Sequence, residues 1–262
     1  MLNKEVLTKH IKNYENQQLT ARIIDKAESV LKNYTVCYTD FYDPYQIALG
    51  TSVLDNIPDI KYLVTGGYKK AERQIIIIYP AFMESKEVDI PMIILNIQGR
   101  FAKQDLTHRD FLGAILGLGL KREKVGDILV GEGQANIVIF EELWDYIQFN
   151  LDKVSNYKVN IQKITTEDMI EVEENFKRIQ ATAPSLRLDV IVSIGFGESR
   201  NTLSKLIKND NVKVNWQPIN QSSYIVSEGD VISFRGKGRI ILEQIGAKTK
   251  KDRYKITVKK LI

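Results

Sequence analysis

The order in which strand and helix patterns alternate through the middle of this chain constrains its fold most. Between residues 81 and 170, apolar runs predict strands at 90–97, 127–130, 135–140 and 159–164. Helical periodicity predicts helices at 107–118 and 141–151. The element order is therefore βαββαβ, the split arrangement of ferredoxin-like and RNA-recognition folds. Thr107 supplies an N-cap for the first of these helices, with Asp110 at the capping-box distance in place of the usual Glu or Gln.

The flanking segments read differently. Residues 1–80 open with helical patterns at 6–14 and 19–31, followed by an Asp43-Pro44 step that marks a turn or the start of a helix. An apolar run stops at Gly66-Gly67, and 74–79 predicts a buried strand because four consecutive isoleucines favour the pleated state. The acidic, polar segment 166–180 reads as a helix or linker. Beyond it, Pro184 opens a short helix ended by Gly195 and a second helix begins at Ser199, a suitable N-cap. Strands are expected at 212–215, 224–226, 231–235 and 254–258. The expected architecture is α+β and multi-domain: an N-terminal α/β domain (1–80), an RNA-recognition-like domain (81–170), and a helix pair over a small sheet with a basic C-terminal extension (181–262).

Several function classes find no support. The N-terminus is too charged for a signal-peptide core and the apolar runs are too short to span a bilayer, so a cytoplasmic protein is expected. Cys37 is the only cysteine, which rules out an internal disulfide or a cysteine-based zinc cage within one chain. His108-Arg109-Asp110 superficially matches the kinase catalytic loop, but Ile115 stands where the metal-binding asparagine is needed. With His10 and His108 the only histidines, a catalytic dyad is hard to assemble, and no catalytic residue, metal, cofactor or small-molecule substrate is expected.

Charge points elsewhere. Residues 181–262 hold 15 Lys+Arg against 7 Asp+Glu, a net of +8, which leaves −4 for the first 180 residues. Such asymmetry suits a polyanion-binding module on a near-neutral body, with a merely solubilising basic face as the alternative. On the second helix, Leu203, Leu206 and Ile207 share one face while Arg200, Asn201, Lys205 and Lys208 fall on the other. Arg235-Gly236-Lys237-Gly238-Arg239 interleaves three cations with two glycines, without the Gly-Lys-Ser/Thr ending of a nucleotide-hydrolysing loop.

The pattern Arg187-Leu188-Asp189, Ser199-Arg200, Leu206-Ile207, Val212-Lys213-Val214-Asn215 and Gly229-Asp230-Val231-Ile232 resembles the small RNA-binding domain named for ribosomal protein S-four. Trp216 departs from it, standing where glycine usually follows the asparagine. The resemblance implies a helix pair set against structured RNA. The candidate contacts are Arg187, Ser199, Arg200, Asn201, Lys205, Lys208, Lys213, Asn215, Arg235, Lys237 and Arg239, while Asp189 is expected to hold the fold. Over nearly the whole chain, Phe41-Tyr42-Asp43-Pro44, Gly66-Gly67-Tyr68 with Ala71-Glu72-Arg73, Thr107-His108-Arg109-Asp110-Phe111-Leu112-Gly113 and Lys121-Arg122-Glu123-Lys124-Val125-Gly126-Asp127 resemble the bacterial YlmH family. That resemblance implies ribosomal RNA on the large subunit, with bound tRNA, as partner in rescue or quality control of stalled particles. His108, Arg109, Lys121, Arg122 and Lys124 form a secondary set of RNA candidates. The run 133–140 occupies the place of the RNA-recognition signature but lacks its stacking aromatics, which argues against base reading on that sheet. The alternatives are an RNA-modifying enzyme of the pseudouridine-synthase type, whose catalytic motif Arg187-Leu188-Asp189 matches poorly, and a protein-binding adaptor.

Overall fold

A computed structural model describes residues 2–9, 11, 13–102, 104–172, 175–209 and 211–261, and within these the side chains of Arg200, Asn201, Ser204 and Lys205 lie outside the description. The chain divides into two units, residues 1–172 and 173–262.

The first unit begins with α1 (Lys4–Thr8) and α2 (Tyr14–Asn33). The split falls earlier than periodicity suggested, because the Asn13 side chain accepts from the Asn16 amide at 3.2 Å and starts α2 at Tyr14. Then come β1 (Cys37–Tyr38), α3 (Pro44–Leu54), β2 (Ile60–Thr65) and β3 (Ile75–Pro80). Asp43 caps α3 in a reciprocal box with Gln46, and Pro44 takes the first helical position, where its missing N–H costs nothing. The strands form an antiparallel sheet in the order β1-β3-β2.

The isoleucine run explains itself in the packing. Ile76 and Ile78 pack with Ile23, Ala27 and Val30 of α2 and Leu54 of α3, whereas Ile75 and Ile77 pack with Ile94, Val138 and Phe140 of a second sheet. A strand buried on both faces has no place for a polar residue, and each such side chain contributes about 1.5–3 kcal/mol of burial.

That second sheet carries the expected βαββαβ order: β4 (Met92–Gly99), α4 (His108–Gly117), β5 (Val125–Val130), β6 (Gln134–Phe140), α5 (Trp144–Asn150), a short β7 (Lys153–Val154) and β8 (Tyr157–Ile164). Its strands lie antiparallel in the order β5-β6-β4-β8-β7. The β7–β8 hairpin, which turns on Ser155 at φ 52°, was not legible from the pattern. Leu95, Ile97, Ile137 and Ile139 bury one face of this sheet under Phe111 and Ile115 of α4 and Ile147 of α5. The opposite face is covered at Ile94, Val138 and Phe140 by β3 and Phe41, and exposed along β8 at Lys158, Asn160 and Gln162.

The second unit comprises β9 (Phe176–Ala183), α6 (Leu188–Phe196), α7 (Arg200–Lys208), β10 (Val212–Val214), β11 (Gln217–Pro218), β12 (Val231–Phe234), β13 (Gly238–Lys248) and β14 (Tyr254–Leu261). All pairings are antiparallel, in the order β11-β10-β12-β13-β14-β9. Two expectations are corrected here. The segment read as a helix or linker ends in β9, which pairs with β14 from Phe176↔Leu261 to Ala183↔Tyr254. Its exposed, charged residues hid the strand, because only one of its faces meets a core. The strand expected at 224–226 is a single bridge between Ile225 and Arg187.

Helices α6 and α7 cover one face of this sheet, where Leu188, Ile191, Leu203 and Ile207 pack with Ile232, Phe234, Ile240, Leu242, Ile256 and Val258. Gly195 permits a close approach of α6, since a Cβ there would lie 2.5 Å from the Ile240 side chain. The alternate residues of the strands, among them Lys213, Arg239 and Arg178, point to the other face.

Candidate nucleic-acid interface

The predicted RNA contacts of the second unit separate into groups. At the connection between the two helices, the Ser199 hydroxyl oxygen accepts from the Thr202 amide at 3.3 Å and caps α7. The backbones of Arg200, Asn201 and Lys205 lie in α7, and their side chains fall outside the described set. Lys208, the last residue of α7, is exposed. The β12–β13 turn brings Lys237 to the connection between the helices, where its Nζ reaches the Glu198 carboxylate at 2.5 Å, and sets Arg235, also exposed, beside Asn211 just past the end of α7. Gly236 and Gly238 have φ of 79° and 99°, so the cations of this turn alternate with residues that can take left-handed backbone without strain.

Arg187 sits at the N-cap of α6 and donates two hydrogen bonds to Asp189, 3.1 and 3.2 Å, as expected of a fold-holding aspartate. This pairing raises the Arg187 pKa above its ordinary value. Asn215 is also committed to the fold: its side chain donates to Asp230 at 2.8 Å and accepts from the Val231 amide at 2.9 Å. Asn215 and Trp216 make the β10–β11 turn with φ of 47° and 65°, so Trp216 adopts the left-handed backbone that usually selects glycine.

Lys213 and Arg239 belong to a different surface. In register, Lys213 lies beside Ser233 and Ser233 beside Arg239, all on the face away from the helices. The Arg239 guanidinium donates to the Ser233 hydroxyl at 3.3 Å and lies 5.3 Å from the centre of the Trp216 ring. Sequence periodicity alone did not separate these two residues from the helix-side cations.

The secondary set lies in the first unit, where His108 and Arg122 feel the charge of Asp127. That carboxylate accepts from the Tyr68 hydroxyl (2.8 Å) and from the amides of Glu72 (2.7 Å) and Arg73 (3.0 Å). Arg73 Nε donates to the Val125 carbonyl at 3.1 Å, and its guanidinium also reaches the Phe41 carbonyl. Arg122 donates to the carbonyls of Val125 and Gly126. Burial, with Arg73 close by, lowers the Arg122 pKa to about 10. Lys124 pairs with Asp40 at 2.9 Å and lies 5.1 Å from the Phe140 ring centre. Arg73 and Lys124 therefore tie the first sheet's segments to the second sheet, and Arg122 is held against the start of β5, while Arg109 and Lys121 are exposed. His108 opens α4, and desolvation followed by the Arg122 charge lowers its pKa below the ordinary value. The Thr107–Asp110 box is present: Asp110 accepts from the Thr107 amide at 2.8 Å and hydroxyl at 2.7 Å, which lowers its pKa.

The Asp127 hub was missed as a hub. Tyr68, Arg73 and Asp127 stand in quoted motifs, yet their separation of more than fifty residues leaves no local signal that they meet. Among the described residues, no group of three or more His, Cys, Asp and Glu could hold a metal ion, and no helix is long and apolar enough to cross a membrane.

Comparisons with known proteins place these features in a lineage. Residues 15–82 match the family described as "YlmH, N-terminal", residues 84–168 match "Putative RNA-binding domain in YlmH", and residues 186–232 match "S4 domain". The "Ribosome-associated protein quality control protein P2" of Bacillus subtilis is 34% identical over 228 residues, which cover 87% of this chain and 88% of that protein. The chain belongs to the YlmH family. The small ribosomal subunit protein uS4 of Leptothrix cholodnii is 44% identical over 62 residues, 23% of this chain and 30% of that protein. A solved structure, the cell division protein ylmH from Streptococcus pneumoniae, shares the fold with a TM-score of 0.53 at 23% identity, covering 61% of this chain and 97% of that one. In this YlmH-family chain, β9, β13 and β14 lie outside the stretch that matches the S-four domain.

Proposed function

We infer that this protein is a non-enzymatic RNA-binding factor of the cytoplasm that docks on structured ribosomal RNA of the large subunit, together with bound tRNA, in the rescue or quality control of stalled ribosomes. The observation that carries this reading is the basic helix side of the second unit. There the capped start of α7, the Arg235–Lys237 turn and, at the far end of α7, the exposed Lys208 flank an S-four-type helix pair. Amides at a helix start and exposed cations on glycine-flanked backbone suit phosphate oxygens. The ribosome-associated quality-control name of the Bacillus subtilis relative supports the pathway. On this reading Arg200, Asn201 and Lys205 extend the basic face along α7, while Arg187 and Asn215 act by holding the helix and turn in place. His108, Arg109 and Lys121 remain candidates for a second phosphate contact.

The test is RNA crosslinking of the intact protein in cells, with an Arg200/Lys205/Lys208 triple-alanine variant alongside. Crosslinks clustered on large-subunit ribosomal RNA or tRNA, and lost in the variant, are the expected result. A pattern without specific RNA sites would sink the reading and favour an adaptor role. In vitro, an interface that neutralises about 4–8 phosphates gives log K falling against log salt with a slope of roughly −4 to −7.

A further inference from the structure

The helix-free face of the second sheet is built unlike an ordinary solvated surface. At one side Trp216 lies against Arg239, in line with Lys213 across β10, β12 and β13. At the other, Phe176 of β9 is 38% exposed and is flanked by two cations, Lys259 at 4.2 Å and Arg178 at 4.8 Å from its ring centre. Lys259 and Arg178 are register partners, and the neighbouring Ile241↔Lys259 pair puts them one row away from Arg239. A carboxylate beside this row, Glu243 at the bulge of β13, is taken up by Arg178 through two hydrogen bonds of 2.7 and 2.9 Å. The face therefore presents two aromatic rings with a positive field between them.

Four strand spacings separate β10 from β9, about 19 Å. That span accommodates several nucleotides, within the roughly 4–16 bound by sheet-based single-strand modules. Rings that stack on bases, with cations interleaved for the phosphates, are the two elements such modules combine. A peptide partner would find little here to satisfy it beyond acidic side chains, whereas RNA uses both the rings and the charge. Arg239, Lys259, Arg178 and Phe176 all stand outside the residues that match the S-four domain.

We propose that this open face is a second RNA-binding surface, which stacks single-stranded RNA on Trp216 and Phe176 and holds its phosphates with Lys213 and Lys259. It rests on the RNA-binding reading above but uses the opposite side of the sheet from α6 and α7.

The chain has two tryptophans, so Trp144→Phe leaves Trp216 as the sole indole reporter in the full-length protein. Titration with a single-stranded oligouridine of about 12 nucleotides should quench Trp216 emission saturably. Phe176→Leu and, separately, Lys213→Glu should each weaken that binding by about fivefold or more, with melting temperatures unchanged, while a ribosomal RNA hairpin still binds. The Arg200/Lys205/Lys208 triple-alanine variant should show the reverse, losing the hairpin and keeping the quench. Hairpin binding without any oligouridine quench would overturn the second surface and leave the first standing. Loss of both ligands in Lys213→Glu with normal melting would merge the two surfaces into one and also overturn it. If neither RNA binds the unmodified chain, both readings fall.

Discussion

Two antiparallel sheets in this molecule solve the same problem in opposite ways. The βαββαβ sheet of the first unit has helices on one face, and on the other the isoleucines of β3 cover Ile94, Val138 and Phe140, so that only the β8 margin of that face, at Lys158, Asn160 and Gln162, stays open. The sheet of the second unit has helices on one face only, and its other face is basic and aromatic. An RNA-recognition-like topology is thus no guide by itself to where RNA goes. What decides is which face another part of the chain has already taken.

The comparison can be broken most forcefully at the covered face. Ile77→Ala should destabilise the first unit by about 2–5 kcal/mol, because it empties a site between two packed sheets. Ile241→Ala on the open face should cost clearly less in the same urea titration, and equal losses would mean the two faces are not different in kind. Next in size, Asp127→Ala strands the Tyr68 hydroxyl and two amides, at a cost of about 3 kcal/mol, whereas Asp127→Asn keeps an acceptor and should cost less. Lys213→Ala should leave the unfolding midpoint within about 0.5 kcal/mol of the parent, since the side chain is exposed. The smallest effect is a pH dependence. The folded pKa of His108 is lowered, so its contribution is fully present above its unfolded value near 6.5 and is lost as pH falls through the lower folded value. Melting of the first unit between pH 7.5 and 5 should therefore fall less steeply in His108→Gln, and an unchanged slope would remove His108 as the cause.

Much of this architecture was legible where burial is one-sided or local. The βαββαβ order, the Thr107–Asp110 box, the Ser199 cap and the Arg187–Asp189 pair all follow from neighbours in sequence. What escaped was long-range or masked. Phe176, Lys177 and Arg178 look like linker because β9 shows its charges to water and its pairing partner is some eighty residues away. The coverage of Val138 and Phe140 depends on β3, more than fifty residues earlier, and nothing in 134–140 announces it. The candidate contacts were recognised as cations, but the side of the sheet each occupies needed the register: Lys213 and Arg239 part company with Lys208 and Lys237 only once β10, β12 and β13 are aligned.

The shared burial between β3 and β6 also bears on how the protein can be handled in pieces. A fragment cut at 84–168 would keep every strand and helix of its own fold and still expose Ile94, Val138 and Phe140 to water as a bare apolar plate. Such a fragment should be sticky in solution and poorly recovered on expression, and adding residues 1–83 as a separate chain should restore its solubility.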